Sequence, residues 1–232
     1  MPAVNTKRTT GGGLPAGRSK KEDWLDLAIS TLIADGIDAV KIQSMARTLG
    51  VSRSSFYWFF ESLQDLQDQL LDHWLHKNTG PIIERAMRPA ETIDKAVCNV
   101  FECWVDDDLF GPELDMAVRL WGRRDKRIRS VLDEADRQRV DALTRMFMRY
   151  GYPAEEAFTR ARVLYYTQIG HFTLRVEETL DERFSHLHSY LLTFTGRAPA
   201  PTDIAAFERF VAAAEEKGRQ SCVRRRCRRS LP

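Results

Sequence analysis

An all-α fold follows from three properties of the 232-residue chain. Apolar residues recur three and four apart over most of its length, as helices with one buried face require. No stretch alternates apolar and polar residues as a half-buried strand does. Glycine and proline fall at the breaks between the periodic runs. The length exceeds one typical domain and suits a small head with a larger body. Hydrophobic residues make up 43% and charged residues 29%, the balance of a soluble globular protein. No apolar run approaches the ~20 residues that span a bilayer, and the polar start lacks the apolar stretch of a signal peptide. A cytoplasmic protein without a membrane partner is the expectation.

Residues 1–18 combine Thr, Gly, Pro and scattered bases, too polar to fold alone, so a disordered arm is expected. From Ser19 to Asp35, Trp24, Leu25, Ala28, Ile29, Leu32 and Ile33 form the stripe of an amphipathic helix that Gly36 ends. The stretch 40–66 then has apolar Met45, Leu49, Val51, Phe56 and Phe59 around a break at Gly50. That is the spacing of a helix-turn-helix, in which Ala46 lets two steeply crossed helices approach and Gly50 takes a left-handed backbone. Ser52 stands where an N-cap belongs, and Arg53, Ser54 and Ser55 face outward, open to nucleic acid.

After Ser55 come Tyr57, Trp58, Phe59 and Phe60, then Glu61-Ser62 as a turn into a long helix. This segment resembles the DNA-binding end of the tetracycline-repressor (TetR) family, and two departures stand out. Leu63 occupies the place of a lysine that usually contacts phosphate, and Lys41 that of a threonine that usually caps the first helix. The resemblance implies a ligand-responsive regulator, most often a repressor, that binds a near-palindromic duplex operator as a homodimer. Residues 19–62 are then the DNA-binding domain. Arg53, Ser54, Ser55 and Tyr57 lie in or beside a major groove, with Lys41, Gln43, Ser44, Ser52 and Trp58 in support and Arg18 and Lys20 on the backbone or minor groove. Charge agrees: residues 1–60 hold eight Lys/Arg against five Asp/Glu, whereas 61–218 hold 21 against 28, so only one end favours a polyanion.

A long helix is expected from about Leu63 to Arg88, broken or kinked at Gly80-Pro81. Further helices follow over Thr92–Val105, Glu113–Arg123, Arg123–Tyr150, 154–178 and Asp181–Phe194. The last two resemble the pair that builds the family's dimer interface. Residues 63–197 are therefore read as the ligand-binding and dimerisation body. Trp104, Met116, Trp121, Tyr165 and Phe172, with Gln168 and His171 as polar groups, are the candidates for a pocket taking a small, largely apolar or aromatic effector. Residues 198–232 read as a Pro-rich linker, a short helix over 203–217 and an Arg-rich tail.

No catalytic residue, metal or cofactor is assigned. The five histidines are scattered, and Asp106, Asp107 and Asp108 lack further ligands at fixed spacing, reading as solvated helix-end groups. Cys98, Cys103, Cys222 and Cys227 stand in pairs five apart with no histidine near, which is not metal-ligand spacing. The competing reading is a helical interaction protein that binds neither DNA nor a ligand.

Overall fold

The structure is a computed structural model that describes the backbone of residues 19–229 and the side chains of all of these except 180 and 218–229. Among the described residues it is helical throughout, with no strand. The chain divides between Leu70 and Leu71 into two compact units.

In the first unit, α1 (Lys21–Asp35) buries Trp24, Ala28 and Leu32, one residue per turn on a single face. Asp23 accepts the free amide of Lys20 at 2.6 Å, and Gly36, with φ +81°, ends the helix. After a 3₁₀ turn (Ile37–Ala39), α2 (Ile42–Thr48) buries Met45 and Ala46. Gly50 closes α2 with φ +68°. Its amide donates to Arg47 O at 3.2 Å and that of Val51 to Ala46 O at 3.0 Å, the paired bonds of a left-handed helix stop.

The second arm of the helix-turn-helix differs from the expectation. Arg53–Trp58 is a 3₁₀ helix, and Ser52 gives no side-chain bond to a backbone amide. Its Oγ pairs instead with the hydroxyls of Ser54 at 2.8 Å and Ser55 at 3.0 Å. Serines that bond locally compete with regular helix geometry, and the amide of Ser55 turns back to Ser52 O at 3.0 Å. Phe60 rather than Phe59 fills the inner position. It is buried and stacked 5.1 Å from Phe56, which meets Trp24 edge-on at 5.3 Å. Leu49, Val51 and Phe59 are only half-buried.

Helix α3 (Leu63–Asn78) starts with Ser62 Oγ accepting from Asp65 N at 3.1 Å and Asp65 accepting from Glu61 N at 2.9 Å. It passes from the first unit into the second and stops before Thr79; α4 (Gly80–Met87) then begins with Pro81 in its first turn. Proline needs no amide partner there, so the expected break is complete.

The second unit continues with α5 (Ile93–Val105), α6 (Pro112–Gly122), α7 (Lys126–Arg149), α8 (Ala154–Leu174), α9 (Leu180–Ser185), α10 (Leu187–Thr195) and α11 (Pro201–Arg229). Thr92 caps α5 by accepting from Lys95 N at 3.1 Å, and Asp125 caps α7 by accepting from Arg127 N at 2.8 Å. Val97, Val100, Leu143, Met146, Phe147, Ala161 and Leu164 centre its core. Three boundaries depart from the sequence reading. Arg175, at φ +51°, ends α8 before 178; His186 separates α9 from α10; and α11 carries the segment expected as a tail to Arg229 as helical backbone.

Candidate functional site

The first unit presents its polar residues outward from an aromatic core. Lys20, Lys41, Gln43, Ser52, Arg53 and Ser54 are exposed, while Ser44 and Ser55 are half-buried. Tyr57 is 53% exposed and Trp58 84%, although Phe56 between them and α1 is fully buried. Large aromatic surface left in water next to hydroxyls and bases suits a partner offering both phosphate and flat apolar groups. Lys41 begins α2 with no side-chain cap bond. Its side chain is exposed. Arg18 lies outside the described residues.

In the second unit α5, α8, α9, α10 and α11 enclose a cavity of about 80 Å³. Helix α5 contributes Phe101 and Trp104, α8 contributes Gln168 and His171, α9 contributes Arg183 and Phe184, and α11 contributes Phe207. A single water needs about 10–15 Å³ measured this way, so the space exceeds one solvent molecule several times over. Gln168 is 8% exposed and its Nε2 has no hydrogen-bond partner. A buried amide left unpaired costs about 1–3 kcal/mol. Burial pulls the Arg183 guanidinium below its ordinary pKa. It likewise lowers His171, with the charge of Arg183 adding to the effect, so the imidazole is neutral at pH 7.

Of the seven residues expected at a pocket, the structure brings together Trp104, Gln168 and His171. The other four lie elsewhere. Phe172 stacks on Phe110 at 5.6 Å in a separate cluster, and Met116 Sδ is 3.7 Å from Thr173 Oγ1. Trp121 is buried on the inner side of α6. Tyr165 does not line the cavity; its hydroxyl is bonded to Arg119, Arg139 and Asp136 in a buried ionic network.

That network was missed because α7 reads as a solvent-facing run of alternating charge. Arg139 is fully buried. It donates to Tyr165 Oη at 2.7 Å, Thr79 Oγ1 at 2.9 Å and Asp115 Oδ1 at 3.3 Å, and its guanidinium lies 5.1 Å from the Trp74 ring. Arg119 forks onto Asp136 at 2.7 and 2.8 Å and reaches Asp115 at 2.7 Å, while Trp74 Nε1 donates to Asp115 at 2.9 Å. Two arginines thus balance two aspartates and tie the end of α3 to α6, α7 and α8. A signal existed: Arg139 falls in register with Ile128, Leu132, Ala135, Ala142 and Met146 on the apolar face of α7.

Cys98 and Cys103 are buried free thiols, each pushed up to about 12 by that burial, and are inert. Lys217 Nζ lies 2.6 Å from Asp108, and among the described residues no group of three or more Cys, His, Asp or Glu is placed to hold a metal. No helix among the described residues is long and apolar enough to cross a membrane.

Residues 25–70 match the family model described as bacterial regulatory proteins, tetR family. Three solved structures share the fold. A putative transcriptional regulator of the TetR/AcrR family is 18% identical with a TM-score of 0.59, over 75% of this chain and 97% of that one. The superantigen PfiT is 17% identical with a TM-score of 0.55, over 75% and 94%. A putative TetR-family regulator from Mesorhizobium loti MAFF303099 is 13% identical with a TM-score of 0.52, over 83% and 95%. No curated protein matches the chain.

Proposed function

We propose, from the match of residues 25–70 to the tetR family of bacterial regulatory proteins, that the chain is a regulator of that family and a cytoplasmic repressor. It binds a near-palindromic duplex operator as a homodimer and releases it when a small effector enters the body. The observation that carries the reading is the exposure of Arg53, Ser54, Tyr57 and Trp58 over buried Phe56 and Phe60. Arg53 and Tyr57 supply base or phosphate contacts, and Lys20 and Lys41 neutralise phosphates. A single head reads too few base pairs for useful specificity, and two heads read two half-sites about 34 Å or more apart.

The dimer reading is supported by apolar surface on the two helices expected to pair. Phe158, Val163 and Tyr166 on α8 are exposed, as are Tyr190 and Leu192 on α10, and Arg162 covers Phe158 and Tyr166 at 5.4 and 5.3 Å. Exposed apolar residues on both helices suit isologous packing against a second copy. The effector reading is supported by the cavity, whose aromatic walls enclose an amide with an unpaired nitrogen. The effector lowers operator affinity only by binding the DNA-incompetent state more tightly, and a hundredfold release needs about 2.7 kcal/mol of that preference.

The test is selection of bound duplexes from fragmented genomic DNA, followed by titration at rising salt. Enriched near-palindromes whose affinity falls steeply with salt are the expected result. No enrichment, or a sedimentation profile showing only monomer while specific binding persists, would contradict the proposal.

A further inference from the structure

The cavity ends in a group of hydrogen-bond donors that apolar walls leave unserved. Gln168 lines it with an Nε2 that no acceptor meets. Its Oε1 accepts from Arg183 Nη2 at a long 3.4 Å, which places the guanidinium beside the amide. Arg183 itself, partly buried, forms no ion pair within 4 Å among the described residues. Arginine cannot shed its charge to relieve burial as lysine can, so the guanidinium, which feels the charge of Glu178 but forms no ion pair with it, can still take an anion. The carboxylate lining this cavity is Glu178, exposed on the rim between α8 and α9 and therefore screened by water. His171, also on the wall, is neutral at pH 7 and adds no positive charge.

We infer that the effector is a small monocarboxylate whose two oxygens take Gln168 Nε2 and the Arg183 guanidinium while an aromatic or short aliphatic body lies against Trp104, Phe184 and Phe207. The inference rests on the cavity being the effector site proposed above. A carboxylate is acceptor-only, with lone pairs enough for both donors, whereas an amine would set donors against donors. A primary amide offers one oxygen and brings two further N–H groups, leaving part of the donor set unmet. The volume of about 80 Å³ limits the body to one ring or a short chain.

The test is isothermal titration of the full chain with phenylacetate and hexanoate against phenylacetamide and hexanamide. The acids are expected to bind about tenfold or more tighter than their amides, since a charge-assisted pair outweighs a neutral one. Arg183→Gln should abolish that preference, Arg183→Lys should keep part of it, and Glu178→Gln should tighten the acids several-fold, leaving the amides unchanged. Circular dichroism checks that each variant is folded. Amides binding as tightly as acids, or a preference that survives Arg183→Gln, overturns the carboxylate assignment and leaves the cavity as an effector site. Binding of neither acids nor amides overturns the assignment together with this cavity's role as the effector site.

Discussion

In the head, Lys41, Gln43, Arg53, Ser54 and Tyr57 stand in water over Trp24, Phe56 and Phe60; in the body, Asp115, Arg139 and Gln168 are buried between helices. The head therefore leaves its polar groups in solvent, and its interior is held by ring contacts of about 5 Å. The body turns polar groups inward, where one set is saturated by partners 24 to 60 residues away and one amide nitrogen has none. Saturated buried groups hold helices in one arrangement, and an unsaturated one is a place where a ligand gains energy.

The largest effect that separates the two regions is expected at Arg139. Arg139→Met leaves Asp115 and Asp136 with one guanidinium between them, and breaking a buried pair typically costs about 3–5 kcal/mol. Urea unfolding should show that loss; a change below about 1 kcal/mol would mean that the network adds little to the body. In the head the comparable weak point is backbone geometry. A Cβ at Gly50 would meet nothing within 4 Å, so Gly50→Ala costs only the left-handed conformation, about 1–2 kcal/mol. A thermal midpoint equal to that of the unaltered protein would contradict that account of the turn.

The sign reverses at Gln168. Replacing it by Met removes an unpaired buried amide while keeping the volume, and the ligand-free protein should gain about 1 kcal/mol. A loss of stability would show that its long bond with Arg183 outweighs the orphaned Nε2. The smallest effect is one of pH. Burial alone would raise the Asp136 carboxyl, but the bonds from Arg119 and Tyr165 overcome it and hold its pKa below the usual 3.8. A carboxylate depressed on folding stabilises above its unfolded pKa, and that contribution is lost as the pH falls through the folded value. Asp136→Asn should therefore flatten the acid limb of the stability profile below about pH 4; an unchanged limb would assign acid lability to other groups.

What the sequence disclosed follows the same division. The head was legible because its determinants are local. Gly50 turns the chain, Ala46 permits the crossing and the run 57–60 carries the resemblance, all within 15 residues. Even there Ser52 was misread as a cap, since three neighbouring serines satisfy one another and tighten Arg53–Trp58 into a 3₁₀ helix. Helix positions in the body were also legible from periodicity, but its site was not. Tyr165 and Gln168 are one turn apart on α8, and no feature of the linear sequence says that the first meets Arg139 while the second opens on a cavity formed with α5, α9 and α11. Arg183 entered no candidate set because its significance comes from burial near Gln168, fifteen residues away.

The most direct measurement is fluorescence anisotropy of a selected operator duplex titrated with the unaltered protein and with the double variant Arg53→Ala, Tyr57→Ala. Arg53 is exposed, whereas Tyr57 meets Phe56 edge-on at 5.3 Å, so urea unfolding checks that the variant is still folded under the binding conditions. The account predicts that its operator affinity falls by about 1–3 kcal/mol for each side chain that reads a base edge, with weak non-specific binding retained. Unchanged operator affinity in a folded double variant would contradict the assignment of residues 53–58 as the DNA-reading surface.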